Sequence, residues 1–349
     1  MARINTLDYL RGLMACFIMC YHFLFWSDYH FTSADFFGKI GVYGVSVFYV
    51  LSGITLFVVY NNRINFDFKS IASFTTKRIF RIFPLLWFIT IGTILTSKKH
   101  YDFSTITLNL TGVFGFVKPD AYIGNGVWSI GNELVFYAFF PLIIIAAKYS
   151  KYIFFAFVLL LSSIGVYFAF ICLSPEKILG EQWEIYVNPF NQIILFTGGI
   201  LIAYLLKANS LTQYKTFLRL FLLAIVLLFI FYPVVGDTIN IVSGWNRIIF
   251  CLISFIVCAC IYVDNYNFPS IIHKSLSFIG ETSYSIYLVH PLVFVVINGF
   301  NQKHLHLNYI IILAISIIST FIGSYFIYRF IEKPMINVGK SVTTKYLSS

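Results

Sequence analysis

Long apolar stretches recur along the whole chain, and short polar or Gly/Pro-containing segments such as YNNRINFDFKS and LSPEKILGEQ separate them. A helix needs about 20 mainly apolar residues to cross the hydrocarbon core of a bilayer. With that length as a guide, the pattern predicts about ten membrane-spanning helices. Their predicted bounds are 8–26, 40–60, 80–96, 131–147, 152–173, 189–206, 218–235, 246–263, 283–300 and 309–331. Before the fourth span, the segment TITLNLTGVFGFV is apolar but interrupted, and it is a candidate re-entrant segment.

The composition excludes an ordinary soluble protein, because 59% of the residues are hydrophobic and only 11% are charged, against roughly a quarter charged in soluble domains. We therefore expect an all-α, polytopic helical bundle in a membrane, with no soluble domain. Residues 1–335 are expected to form this single domain and residues 336–349 a short cytoplasmic tail. The formal net charge of +10 accompanies 40 Phe residues, so the basic side chains are expected to orient the chain in a lipid bilayer and not to bind nucleic acid.

The six cysteines lie in or at the edge of apolar runs. They lack the paired spacing of a zinc site or of a disulfide framework. We therefore expect neither a bound metal nor a tightly bound cofactor.

The distribution of Lys and Arg predicts the orientation of the chain. With a cytoplasmic N-terminus, most of the 24 basic residues fall in inner loops or at inner helix ends, among them Arg3 and those in the segment 61–79. This asymmetry is what the positive-inside rule requires. An even number of spans then returns the C-terminus to the cytoplasm.

Ionisable side chains inside a membrane span are costly, so those that occur are candidates for function. Arg11 and His22 lie in the first predicted span, about 16 Å apart along a helix that rises about 1.5 Å per residue. Arg78 and Arg81 lie at the start of the third span, and their spacing puts them on one helix face, where they can grip an anion jointly. Snorkelling and positive-inside anchoring are alternative roles for these arginines.

Further polar residues occur in the second, fourth and ninth spans. Glu133 opens the fourth span at its outer end, at a depth similar to His22, and we expect it to orient the imidazole and stabilise its charged form. Stabilisation of a helix N-terminus is the alternative role for this carboxylate. Ser52 interrupts the second span, where it is a candidate cavity residue. Tyr284 and His290 lie along the ninth span, and the second intramembrane histidine indicates a polar interior pathway.

Ordered motifs over essentially the whole chain make it resemble the membrane-bound acyltransferase-3 family, whose members O-acylate bacterial surface glycans and some other acceptors. The motifs are LDYLRGL continuing to His22, GVSVFYVLSG, the RxxR element at Arg78 and Arg81, WSIGNE from Trp128 to Glu133, and GETSYSIYLVHP near the C-terminus. The resemblance implies an acyltransferase-3-like domain over residues 1–335 in the bacterial cytoplasmic membrane, with both termini cytoplasmic. Leu134 and Val135 replace the acidic residue or Gln of many members, so no role is transferred to them.

By this resemblance, the chain is interpreted as an O-acyltransferase, and more narrowly as an O-acetyltransferase. It would move the acyl group from cytoplasmic acyl-CoA, with acetyl-CoA as co-substrate, to a hydroxyl of an envelope glycan such as an O-antigen or capsule unit, or of a lipid-linked sugar. Arg11, Arg78 and Arg81 are expected to bind the donor phosphates. His22 is expected to act as general base, oriented by Glu133. Further candidate pocket residues are Ser52, Trp128, Tyr284 and His290.

A proton-coupled transporter or flippase is the alternative interpretation, since helices with interior His, Arg and Glu residues also describe such carriers. It predicts inverted repeats and interrupted helices in matching halves of the chain. We find no such repeat in the sequence.

The predicted orientation is testable by cysteine labelling in intact cells. In a background without the six native cysteines, Arg63→Cys and Lys345→Cys are expected to resist a membrane-impermeant maleimide, because both positions lie on the cytoplasmic side. Lys99→Cys, in an outer loop, is the matched control and is expected to react. Ready labelling of positions 63 or 345 would contradict the orientation and the placement of the arginines on the cytoplasmic side.

Overall fold

The computed structural model describes residues 4–27, 29–266 and 268–347, and within these ranges the chain forms helices and connecting loops without a β-strand. Arg3, counted above among the inner basic residues, lies outside the described residues. The helices are α1 (Asn5–Phe25), α2 (Phe36–Tyr60), α3 (Phe68–Thr96), α4 (Phe103–Thr111), α5 (Phe114–Val117), α6 (Trp128–Tyr149), α7 (Lys151–Tyr167), α8 (Trp183–Tyr186), α9 (Pro189–Leu205), α10 (Lys215–Phe231), α11 (Ile239–Val242), α12 (Gly244–Asp264), α13 (Ser270–Glu281), α14 (Ser283–Phe300), α15 (Tyr309–Ile327) and α16 (Lys333–Tyr346).

The architecture is the predicted all-α, polytopic membrane bundle. Among the described residues, eight helices are long and apolar enough to cross a membrane, and the segment Leu179–Tyr186 with α9, bent by 65°, is a ninth candidate. The remaining predicted span, 218–235, coincides with α10, which has only 17 residues. Pro233 explains where α10 ends, because a proline disfavours the helical conformation of the residue that precedes it.

Successive long helices run in opposite directions, so the bundle has two ends. We call the end where α1 begins the proximal end, and the end where α1 finishes the distal end. The segment 61–67 and helix α16 lie at the proximal end, whereas the loop 97–102 lies at the distal end. The proximal end is the one for which the charge pattern predicts a cytoplasmic location.

The segment suggested as re-entrant forms the short helices α4 and α5, which pack against α3 and α6. At the contact between α5 and α6, a Cβ on Gly115 would lie 2.4 Å from the carbonyl oxygen of Gly131, so the two backbones approach as only glycine permits. The chain then enters α6 beside α14, where the Tyr287 hydroxyl donates to the carbonyl of Gly126 at 3.2 Å. Helix α6 therefore starts within the bundle and not at its distal edge.

The C-terminal part of the chain is helical as well. A π-helical turn over Tyr328–Glu332 connects α15 to α16. Helix α16 packs against α3, and a Cβ on Gly339 would lie 2.8 Å from the Cβ of Phe80. Most of the segment expected as a tail thus forms a helix that lies against the bundle.

Helix α2 is at the centre of the bundle, where it crosses α9 at two glycines. A Cβ on Gly53 would lie 2.2 Å from the carbonyl oxygen of Phe196, and a Cβ on Gly199 would lie 2.1 Å from that of Val50. Small residues allow membrane helices to approach this closely and to pack through their backbones. Helix α2 is continuous through Ser52 and Gly53, where we expected an interruption of the second span, and Gly53 serves helix packing.

We predict that Gly199→Ala destabilises the protein, because the added methyl group meets backbone atoms that cannot move without separating α2 from α9. Overpacking of this kind costs about 1–3 kcal/mol or more. The measurement is thermal unfolding in detergent. Gly323→Ala is the control, since nothing lies within 4 Å of a Cβ at Gly323, and it is expected to unfold at or above the wild-type temperature. Equal loss of stability in both variants would contradict this account of the crossing.

Candidate active site

A cavity of about 430 Å³ lies toward the proximal end, between α1, α2, α3, α6, α14 and the C-terminal helices. This volume is within the range of small-molecule sites. We call it the proximal cavity. Its walls carry six of the predicted site residues, together with Lys340. The six are Arg11, Ser52, Arg78, Arg81, Glu133 and Tyr284.

Arg11 reaches the proximal cavity from the first turns of α1. Its guanidinium donates to the Asp8 carboxylate at 2.9 Å and to the Thr55 hydroxyl at 3.3 Å. Asp8 precedes it by three residues on the same helix. The positive charge is therefore partly neutralised, and the side chain is held toward α2.

Arg78, on α3, is held mainly by aromatic rings. Its guanidinium carbon lies 5.5 Å from the ring centroid of Tyr60 and 5.9 Å from those of Phe74 and Tyr137. One of its nitrogens donates to the Tyr60 hydroxyl at 3.2 Å, whereas the buried Nε has no hydrogen-bond partner among the described residues. Aromatic faces hold a guanidinium without neutralising it, so Arg78 keeps its charge available to an anion.

Arg81 lies one helical turn beyond Arg78 and faces carboxylates from two other helices. It interacts electrostatically with Glu133 of α6 and with Glu332 of the π-helical turn. Helix α3 continues through Pro84, which lies one turn further on. Arg81 thus belongs to a charged network at the proximal cavity, and part of its side chain remains exposed.

Glu133 belongs to this arginine network and not to the histidine with which we expected it to pair. Its carboxylate interacts with the hydroxyl of Tyr137 and with the guanidinium groups of Arg81, Arg11 and Arg78. The physical reason is the depth at which α6 begins. Since α4 and α5 place Trp128 inside the bundle, Glu133 lies further toward the proximal end than a span that starts at the distal surface would put it.

His22 pairs instead with His290 of α14. Its Nδ1 lies 2.8 Å from Nε2 of His290, and Nδ1 of His290 lies 2.9 Å from the carbonyl oxygen of Ile286. A carbonyl oxygen only accepts, so in the neutral pair Nδ1 of His290 is the protonated nitrogen, and its Nε2 accepts the hydrogen bond from His22. Nε2 of His22 is then unprotonated, as a general base requires.

The histidine pair lies just beyond the deep wall of the proximal cavity. Tyr287 lines that wall, and its ring centroid is 6.3 Å from that of His290. His290 is completely buried, whereas His22 is partly exposed and stacks on Trp26 at 5.3 Å. The proximal cavity and the candidate base are therefore neighbours along α14.

Comparison with known proteins gives a family for this arrangement. The model of the family described as Acyltransferase domain (acyltransferase-3) matches residues 4–329. The chain belongs to this family. A Staphylococcus aureus (strain COL) protein named "Putative O-acetyltransferase" is 24% identical over 97% of this chain and 58% of its own length. Another of that name, from strain MSSA476, is 24% identical over 86% of the chain and 53% of its own length. The chain spans about half the length of the curated relatives it matches, and no solved structure matches it significantly.

In this acyltransferase-family chain, the other sequence-predicted residues separate into two groups. Ser52 and Tyr284 line the proximal cavity. The Ser52 hydroxyl lies 3.3 Å from the Tyr137 hydroxyl, and the Tyr284 hydroxyl donates to the carbonyl of Ile82 at 3.3 Å. Trp128 lies elsewhere, with its ring 5.8 Å from that of Trp183. The structure therefore assigns Trp128 to packing outside the proximal cavity.

The residues of the proximal cavity that the sequence analysis missed include Tyr137, Glu332 and Lys340. Tyr137 follows Glu133 by four residues and so shares its helix face. Glu332 is 4% exposed and accepts a hydrogen bond from Ser285, and a carboxylate at the end of the last apolar run was the signal that could have identified it. The family match ends before Glu332 and Lys340.

The residues that could hold a cofactor in this acyltransferase-family chain are cationic. Arg11, Arg78, Arg81 and Lys340 surround one space and suit phosphate groups. The described residues contain no group of three or more His, Cys, Asp or Glu side chains placed to hold a metal ion.

Proposed function

We propose that this chain is an integral membrane O-acetyltransferase that moves the acetyl group of cytoplasmic acetyl-CoA to a hydroxyl of a cell-envelope glycan. The observation that carries the proposal is the convergence of Arg11, Arg78 and Arg81 on one cavity whose deep wall adjoins the histidine pair. Family membership and the names of the relatives support the reaction class.

The proximal cavity fits the anionic part of an acyl-CoA. Arg78 and Arg81 share a face of α3, and Arg11 approaches from α1, so phosphate oxygens can receive charge-assisted hydrogen bonds from several directions. Arg78 has an unpartnered Nε, which a phosphate oxygen can engage. In this proposal the proximal end faces the cytoplasm, where acyl-CoA is found.

The thioester then has to reach the histidines. Arg11 and His22 are separated by about 16 Å along α1, given a rise of about 1.5 Å per residue. Tyr287, Tyr49 and Ser129 line the deep part of the cavity, and an extended pantetheine arm would follow this path. The donor would thus be held by its phosphates at one end and present its acyl carbon at the other.

In the proposed reaction, His22 acts on the acceptor. Its unprotonated Nε2 takes the proton of the acceptor hydroxyl while the oxygen attacks the thioester carbonyl carbon. The new C–O ester bond forms as the C–S bond breaks, and the coenzyme A thiolate leaves and takes up the proton. His290 acts as a positioning residue, because its acceptor nitrogen keeps the proton of His22 on Nδ1.

We predict that His22→Ala abolishes acetyl transfer while coenzyme A affinity stays within about twofold of wild type, since the imidazole acts on the hydroxyl and not on the phosphates. His290→Gln is expected to lower kcat strongly with little change in the KM for acetyl-CoA. His304→Ala, in the exposed π-helical turn Asn301–Leu305 that follows α14, is the control. Transfer retained by a correctly folded His22→Ala protein would remove the general-base role, and lost coenzyme A binding would move His22 to the donor site.

We also predict that Arg78→Ala and Arg81→Ala weaken coenzyme A binding about tenfold or more, because a charge-assisted hydrogen bond to phosphate contributes about 1.5–3 kcal/mol. Arg81→Lys is expected to recover little affinity, since Lys lacks the planar fork that engages two oxygens. Lys69→Ala, an exposed cation on the same helix, is the control for charge alone.

The measurement is the coenzyme A dissociation constant of each variant in detergent. Equal affinity in wild type, Arg81→Lys and Arg81→Ala would show that the arginines anchor the helix and that the donor binds elsewhere. Failure of the wild type to bind coenzyme A would contradict the proposed function as a whole.

A further inference from the structure

A second cavity, of about 390 Å³, lies at the distal end and has no part in the mechanism above. We call it the distal cavity. It is enclosed by the last turns of α3, the loop before α6, and α14. Its polar lining includes Thr93, Thr96, Ser97, Asp120, Tyr122 and Asn125.

Asp120 has a buried carboxylate oxygen that a ligand could engage. Its Oδ1 is buried and has no hydrogen-bond partner among the described residues. A buried polar atom left without a partner costs about 1–3 kcal/mol, and more for a charged group. Because Asp120 lines the distal cavity, a ligand that donates hydrogen bonds there would satisfy it.

The loop that carries Asp120 is held in place from several sides. The buried Asn109 donates to the carbonyl of Ala121 at 2.7 Å and accepts from the backbone N–H of Ile123 at 2.8 Å. The hydroxyl of Tyr122 accepts from the indole N–H of Trp183 at 2.8 Å. Gly124 has φ = +99°, a value that favours glycine. The distal cavity is therefore preformed and not a gap in a mobile loop.

The two cavities lie on opposite sides of the histidine pair. On α14, Tyr287 lines the proximal cavity and Pro291 lines the distal one, with His290 between them. Where the chain enters α6, Asn125 of the preceding loop lines the distal cavity and Ser129, in the first turn of the helix, lines the proximal one. A ligand in the proximal cavity and a ligand in the distal cavity would therefore approach the histidine pair from opposite ends of the bundle.

We propose that the distal cavity binds the acceptor as a neutral, polyhydroxylated sugar unit, with the Asp120 carboxylate accepting hydrogen bonds from its hydroxyls. This inference rests on the proposed function and adds to it the binding site of the acceptor and the absence of charge on the sugar unit bound there. Hydroxyl, amide and carboxylate groups match the donors and acceptors of adjacent sugar hydroxyls. Leu292 and Val295 offer apolar contacts to the C–H faces of the ring.

The charges of the distal cavity favour a neutral sugar. Asp120 repels an anionic ligand, and Lys99, the cationic side chain of the lining, extends over the ring of Tyr101 at 5.5 Å. One carboxylate and one ammonium leave the site without a net charge.

The test is equilibrium binding of a polysaccharide to the purified, detergent-solubilised protein. The probe is the fluorescently labelled surface polysaccharide of cells that carry this protein, stripped of its O-acyl groups by mild alkali. Asp120→Asn, which keeps the shape of the side chain, is expected to weaken polysaccharide binding about tenfold and to leave coenzyme A affinity unchanged. Thr96→Val is expected to weaken it about threefold. Glu176→Gln, which removes an exposed carboxylate of the distal face outside the cavity, is expected to bind as wild type.

Two outcomes would overturn this inference: unchanged polysaccharide binding in Asp120→Asn, or equal weakening in Glu176→Gln. Loss of coenzyme A affinity in Asp120→Asn would also overturn it, because the residue would then act on the donor side or on the fold. Acetyl transfer from labelled acetyl-CoA is measured in parallel. Polysaccharide binding that depends on Asp120 without any acetyl transfer by the wild type would contradict the proposed reaction and support the sugar site. Normal acetyl transfer by the wild type, with polysaccharide binding that does not depend on Asp120, would support the proposed reaction and contradict the sugar site.

Discussion

The three guanidinium groups that line the proximal cavity need partners within the bundle, because an isolated charge away from water is too costly to keep. Arg11 finds Asp8 and Thr55, Arg78 finds aromatic rings, and Arg81 finds carboxylates from two further segments. These partners come from different parts of the chain, so the requirement ties together α1, α3, α6 and the C-terminal helices. The proximal cavity is the space that remains between the paired groups.

The charged network depends on a packing feature that involves no charge. The close contact of Gly115 with Gly131 places the start of α6 inside the bundle beside Tyr287. Had α6 started at the distal edge, Glu133 would lie about as deep as His22 and Arg81 would lose one of its carboxylates. The same short segment forms part of the wall between the two cavities, so it determines both the donor side and the acceptor side of the proposed site.

The histidine pair differs from the more familiar arrangement in which a carboxylate orients a catalytic imidazole. In the proposed mechanism the orienting group is a second imidazole, itself fixed by the carbonyl of Ile286. A neutral partner fixes the tautomer of His22 but does not stabilise an imidazolium as a carboxylate would. The carboxylate of Glu133 interacts instead with the arginines of the proximal cavity and offsets part of their charge.

The sequence by itself determined the class of the protein and most of its candidate donor residues. Apolar runs of about 20 residues require membrane helices because the backbone must bond to itself in lipid, and arginines within such runs stand out because they are costly there. Only the tertiary structure decided that Glu133 joins the arginines, that His290 is the partner of His22, and that Tyr137 and Glu332 enter the site. These pairings depend on the depth at which each helix begins and on contacts between distant segments. A linear pattern does not encode either, because hydrophobicity specifies that a segment enters the membrane but not which neighbour its polar side chains meet.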